Sequence, residues 1–124
     1  MKKRILIVED NADQRLIEKT QLEAAGYSVI EAPSAAEGID MAIKEKPDLI
    51  IMDVRLPYKK KGIGAAKLIR SSKEASEIPI IFVTAYSTPQ ESKEIKGISL
   101  SVYLLKPYDS SVMLKYIKDF LKHD

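Results

Sequence analysis

Short aliphatic runs alternate with amphipathic stretches along the whole chain. Ile5-Leu6-Ile7-Val8 is unbroken, as expected of a central strand covered on both faces. Asp13 to Ala25 reads as a helix, with Leu16, Ile17 and Leu22 inward and Gly26 as a left-handed C-cap. Tyr27 to Ala32 is a second strand. Ser34-Ala35-Ala36-Glu37 has the capping-box pattern and opens a helix that buries Ile39, Ala42 and Ile43 and stops before Pro47. Asp48 to Met52 is a third strand, and Val54 to Gly62 a loop. Ile63 to about Ser72 is helical, with Ala66, Leu68 and Ile69 as core candidates.

Pro79 opens a fourth aliphatic strand, Ile80 to Val83. A weaker helix follows around Pro89 to Lys96, where Ile95 is the only large aliphatic residue. Val102 to Leu105 is the fifth strand. Asp109 can cap a last helix containing Val112, Met113, Leu114, Ile117, Phe120 and Leu121. Five strands interleaved with five helices predict right-handed crossovers, hence a doubly wound α/β fold on a parallel sheet.

The chain's 124 residues suit one domain spanning 1–124, with no internal repeat or linker. Its bare C-terminus leaves no room for an output domain and favours a complete chain. There is no Cys, which excludes disulfides, thiolate zinc sites and Cys nucleophiles and is compatible with the cytoplasm. No apolar run approaches the roughly 20 residues of a membrane span. Basic Met1-Lys2-Lys3-Arg4 is followed by too short an apolar run for a signal peptide. Net charge is +2, with an acidic excess before residue 58 and a basic excess after it. That is too mild to predict nucleic-acid binding.

Polar residues fall where chemistry would need them. Four apolar strands end abruptly in reactive side chains: Glu9-Asp10, Asp53, Thr84 and Lys106. In open α/β sheets, ligands bind beyond the carboxyl ends of the strands. Four distant segments would thus deliver three carboxylates, a hydroxyl and an ammonium to one edge. Singly, each residue has a plainer explanation: Glu9, Asp10 and Asp53 as caps or turn formers, Thr84 as a strand end, Lys106 as a surface lysine. Their common position at strand ends is harder to dismiss. Three clustered carboxylates repel, so at least one should have a raised pKa unless a cation binds. Oxygen-only ligands suit Mg²⁺. A metal beside Lys106 would accommodate negative charge, and a carboxylate can attack phosphorus to form an aspartyl phosphate. Competing phosphate motifs are absent. Gly62-Ile63-Gly64 lacks a third Gly, and the acidic turn Glu9 to Asp13 would repel a dinucleotide pyrophosphate.

Four segments carry a resemblance over nearly the whole chain: Ile5 to Asn11, Met52 to Pro57, Phe82-Val83-Thr84-Ala85 and Tyr103-Leu104-Leu105-Lys106-Pro107. Together they resemble the receiver domain of bacterial and archaeal response regulators. The resemblance implies a flavodoxin-like sheet of order 2-1-3-4-5. It implies that Asp53 takes a phosphoryl group from a histidine kinase or phosphotransfer protein. Glu9, Asp10, Asp53 and the backbone carbonyl of Arg55 would hold Mg²⁺. Lys106 and Thr84 would contact the phosphoryl oxygens, and the Lys106-Pro107 bond would be cis. Thr84 and Tyr103 would form a switch that remodels the face of the fourth helix, fifth strand and fifth helix for a downstream protein target. Arg55 and Tyr86, two residues beyond Asp53 and Thr84, would flank the route of attacking water and tune phosphoryl lifetime.

There are departures. The family usually has Gly where this chain has Lys61, with Gly62 one residue later. Tyr58-Lys59-Lys60-Lys61 therefore reads as a loop one residue longer, whose lysines could steer an acidic partner or simply be solvated. Gly97 comes earlier than usual before Lys106. The segment Ser101-Val102 lacks the acids common in DNA-binding regulators, so a monomer without nucleic-acid contact is expected. The sole histidine, His123, is not expected to be catalytic, so a donor histidine must come from another protein. The leading expectation is a stand-alone phosphorylated receiver, relay or diffusible switch. Alternatives are a receiver cut from a longer regulator, a phosphate-independent interaction module, and a Mg²⁺-dependent hydrolase with an Asp nucleophile. The last usually has a second Asp two residues on, where this chain has Arg55.

Overall fold

The computed structural model describes residues 2–56, 62–85 and 88–122. The strands are β1 (Arg4–Val8), β2 (Ser28–Ala32), β3 (Leu49–Asp53), β4 (Ile80–Thr84) and β5 (Ser101–Leu105). The helices between and after them are α1 (Ala12–Ala24), α2 (Ala35–Glu45), α3 (Gly62–Ser71), α4 (Pro89–Lys96) and α5 (Ser110–Leu121). All strand pairs are parallel, in the order β2-β1-β3-β4-β5. This is the doubly wound sheet expected from the alternation of aliphatic runs and amphipathic stretches.

The unbroken aliphatic runs are buried because each strand feeds two cores. Leu6, Val8, Ile50, Met52, Ile80 and Phe82 face one cluster, with Ala42 of α2, Ile69 of α3 and Ile95 of α4. Ile5, Ile7, Leu49, Ile51, Ile81 and Val83 face the other, with Leu22 of α1 and Met113 and Ile117 of α5. Alternate residues point to opposite faces of a strand, so a strand covered on both sides has no polar face to show.

Helix starts follow their caps. Asn11 accepts from the Gln14 N–H at 2.9 Å, Ser34 from Glu37 at 3.2 Å and Asp109 from Ser111 at 3.2 Å. The reciprocal capping box occurs at Thr88 and Glu91, at the start of α4. Because Asn11 caps α1, Glu9 and Asp10 are free of that duty.

Three expected core residues are wrong. Leu16, Ile17 and Leu68 are 62%, 51% and 46% exposed. Helix α1 instead turns Leu22 and, one turn earlier, Glu18 toward the sheet. Helix α3 buries Ala65, Ala66 and Ile69. Each sequence offered more apolar residues than one face can hold, and docking chose the phase. The left-handed residue before β5 is not the glycine. Gly97 is right-handed at φ −79°, and Leu100 takes φ +54°. Gly26 has φ +100°, as its C-cap role requires. The Tyr58 to Lys61 loop, Tyr86 and His123 lie outside the described residues.

Candidate functional site

The carboxyl ends of β1, β3, β4 and β5 bring Glu9, Asp10, Asp53, Thr84 and Lys106 to one edge. The central strands β1 and β3 are paired in register, Val8 beside Met52, so the residues that follow emerge side by side. The crossovers of β1 and β3 lead to helices on opposite faces, which leaves a crevice at this edge. Glu9, Asp53 and Thr84 are buried, whereas Asp10 is exposed.

Lys106 closes the site. Its Nζ lies 3.1 Å from Glu9 Oε1 and 3.5 Å from Asp53 Oδ2. The Lys106 N–H donates to the Thr84 carbonyl at 2.7 Å, which ties the ends of β4 and β5 together. The Lys106–Pro107 peptide is cis. On the opposite side, the Arg55 N–H donates to Asp53 Oδ1 at 2.8 Å. The Asn11 N–H donates to Glu9 Oε2 at 3.2 Å, and Arg15 Nη1 holds the carbonyl of Glu9 at 2.8 Å.

Backbone packing brings the end of β3 close to α3. A Cβ at Gly62 would sit 2.0 Å from the Asp53 carbonyl oxygen, so only glycine fits the start of α3. The glycine that follows Lys61 thus meets the close approach.

The electrostatics match three crowded acids. Burial pushes Glu9 up from the ordinary 4.5 to about 7, with the hydrogen bond and charge of Asp53 adding to it. Burial alone would lower Lys106, but the charges of Asp53, Glu9 and Glu18 outweigh it and raise its pKa. Carboxylate oxygens of Glu9, Asp10 and Asp53 lie within 4.8 Å of one another. That all-oxygen donor set fits a hard divalent ion such as Mg²⁺.

Sequence reading missed three residues around this centre. Glu18 is 4% exposed, accepts from the Tyr108 hydroxyl at 3.3 Å, and has Oε1 buried without a hydrogen-bond partner. Burial pushes its carboxyl to about 7, against the lowering pull of Lys106 and Tyr108. Its signal was spacing: Glu18 precedes buried Leu22 by four. Tyr108 follows the Lys-Pro pair directly. Glu91 was readable as the fourth residue of Thr88-Pro89-Gln90-Glu91, a capping-box pattern. Its carboxylate grips the Arg55 guanidinium at 2.6 Å through both oxygens. The expected switch residue Tyr103 is half-buried against the α2–α4 side of the core, beside Phe82 in the sheet.

Known proteins share this fold. The family model for the response regulator receiver domain matches residues 5–118. The polar-differentiation response regulator DivK of Brucella ovis is 33% identical over 121 residues, 98% of this chain and 98% of that protein. The chemotaxis protein CheY4 of Vibrio cholerae superposes with a TM-score of 0.88 at 28% identity, covering 98% of this chain and 100% of that one. The receiver domain of the sensor histidine kinase PA1611 from Pseudomonas aeruginosa also gives 0.88, at 25% identity, over 98% and 99% of the two chains. That structure has a magnesium ion coordinated in its active-site cleft. With matching strand order, a converged acidic cluster and a family match over most of its length, the chain belongs to the response regulator receiver domain family of two-component signalling.

Proposed function

We propose that residues 1–124 act as a stand-alone receiver in which Asp53 accepts a phosphoryl group in a Mg²⁺-dependent reaction. The observation that carries this reading is Lys106. Its ammonium reaches both Asp53 and Glu9, 53 and 97 residues away in sequence, at the mouth of the acidic cluster. The donor is the phosphohistidine of a histidine kinase or phosphotransfer protein.

An Asp53 carboxylate oxygen attacks phosphorus. The new P–O bond forms as the P–N bond breaks, and its electron pair stays on the leaving imidazole. Glu9, Asp10, Asp53 and the Arg55 backbone carbonyl would hold Mg²⁺, which when bound neutralises charge on the transferring group. Lys106 provides a charge-assisted hydrogen bond to the phosphoryl oxygens. Its binding to Glu9 and Asp53 keeps the ammonium aimed before the group arrives. The Arg55 N–H orients the acceptor carboxylate through Oδ1. The protein catalyses only its own phosphorylation and dephosphorylation.

Thr84 and Tyr103 form the readout. Thr84 is fully buried at the end of β4, and Tyr103 lies on neighbouring β5, paired with Phe82 two residues before Thr84. Movement of the Thr84 hydroxyl toward the phosphoryl group makes room for Tyr103 to turn inward. The α4–β5–α5 surface then changes for a downstream protein target. Among the described residues no helix is long and apolar enough to cross a membrane. We infer a cytoplasmic monomer that does not bind nucleic acid directly.

The test is labelling by acetyl phosphate with and without Mg²⁺. The parent should incorporate phosphate only with the metal, and Asp53→Asn should take up none. Persistent labelling of Asp53→Asn would defeat the assignment. Partner binding unaffected by that substitution and by Mg²⁺ would favour a phosphate-independent module.

A further inference from the structure

Arg55 and Glu91 lie 36 residues apart and form a two-pronged ion pair. Arg55 Nη1 donates to Glu91 Oε2 and Nη2 to Oε1, each at 2.6 Å. This is the fork-to-fork geometry in which arginine binds carboxylate most strongly and with a fixed plane. The two side chains are 27% and 14% exposed, so solvent screens the pair only in part. Glu91 is itself held in place. Its Oε1 accepts from the Thr88 N–H at 3.0 Å, and its own N–H donates to Thr88 Oγ1 at 3.1 Å. The backbone N–H of Thr88 therefore fixes the carboxylate that holds the guanidinium. At its other end, Arg55 touches the acceptor directly through the bond from its N–H to Asp53 Oδ1.

We propose that Glu91 is a positioning residue for dephosphorylation, holding the Arg55 guanidinium aside from the acceptor so that water can reach the phosphoryl group. This rests on the reading of Asp53 as phosphoacceptor. In hydrolysis, water oxygen attacks phosphorus as the P–O bond to Asp53 breaks. The electron pair returns to the carboxylate, and the water proton leaves with inorganic phosphate or solvent. A phosphoryl group on Asp53 would be the strongest anion near Arg55, two residues away. Glu91 competes for the same guanidinium. Without its charge, Arg55 folds over the phosphoryl group and blocks the face that water must approach.

The capping box separates positioning from helix stability. A glutamine at 91 can still accept from the Thr88 N–H, because the box tolerates either residue, but it cannot bind arginine as an anion. Thr88→Ala removes the Oγ1 half of the cap but leaves the Glu91 carboxylate and the Thr88 N–H that holds it.

The experiment labels each protein with radioactive acetyl phosphate and Mg²⁺, removes the donor and follows loss of label. Glu91→Gln should lose label at least about twofold more slowly than the parent, the lower end of coupling between contacting residues. Thr88→Ala should decay like the parent. Arg55→Ala/Glu91→Gln should decay like Arg55→Ala, because the effect runs through the guanidinium. Decay of Glu91→Gln at or above the parental rate overturns the inference. So does equal slowing in Thr88→Ala, or slowing that persists without Arg55. A parent that takes up no label defeats the phosphoacceptor reading itself. Label with unchanged decay defeats only the role of Glu91.

Discussion

Glu18→Gln should change how stability depends on pH, because it removes an acid that the fold buries under the Lys106–Tyr108 segment. Glu18 is 4% exposed, and burial raises its carboxyl from the ordinary 4.5 to about 7. The native state therefore holds a proton that the unfolded chain releases above the ordinary value. The stabilising contribution of that proton is complete below about 4.5 and is lost as pH rises through about 7. Each pH unit in that window is worth about 1.4 kcal/mol, so the ceiling is roughly 3 kcal/mol. Allowing for structural relaxation around the charge, about 1–3 kcal/mol is expected between pH 5 and pH 8. Glutamine keeps the volume and an acceptor for the Tyr108 hydroxyl but cannot ionise. Its amide brings its own hydrogen-bond cost, but that cost is the same at every pH. The diagnostic is thus the change in stability difference between the two pH values. Glu9 also lies near 7, but its titration is common to both proteins and largely cancels. The assay is urea unfolding followed by far-UV circular dichroism without Mg²⁺. The variant should gain about 1–3 kcal/mol on the parent from pH 5 to pH 8. Parallel curves for the two proteins would refute the assignment of a buried, protonated Glu18.

Two further outcomes test the geometry of the centre. Mg²⁺ binding must displace the proton on Glu9, so affinity should rise by up to about tenfold per pH unit below about 7 and level off above it. Thermal unfolding with graded Mg²⁺ measures this, and a pH-independent midpoint shift would remove Glu9 from the ligand set. At the start of α3, Gly62→Ala should cost about 2 kcal/mol or more and slow phosphorylation, because its Cβ would meet the Asp53 carbonyl oxygen at 2.0 Å. Gly64→Ala, with nothing within 4 Å of the added carbon, should be neutral or gain up to about 1 kcal/mol in the same urea titration.

Local pattern carried most of the fold and the polar centre. Unbroken aliphatic runs marked strands covered on both faces, and abrupt polar residues marked the strand ends at which Glu9, Asp10, Asp53, Thr84 and Lys106 gather. Caps at Asn11, Ser34 and Asp109 act within a few residues, and at Ser34 and Asp109 they were legible from short spacings. These features were readable because backbone sterics set periods and turns locally. Helix phase was not. Leu16, Ile17 and Leu68 turn outward because competing apolar faces differ by little locally, and only docking against the sheet decides between them. Glu18 was overlooked for the same reason: its burial depends on which side of α1 meets the sheet and Tyr108. The distances from Lys106 to Glu9 and Asp53, and the hold of Glu91 on Arg55, join segments dozens of residues apart. No local propensity specifies such pairs. Strand order brings their backbones together, and the desolvation of charge then makes each partner count, which is why tertiary structure alone revealed how Asp53 is held.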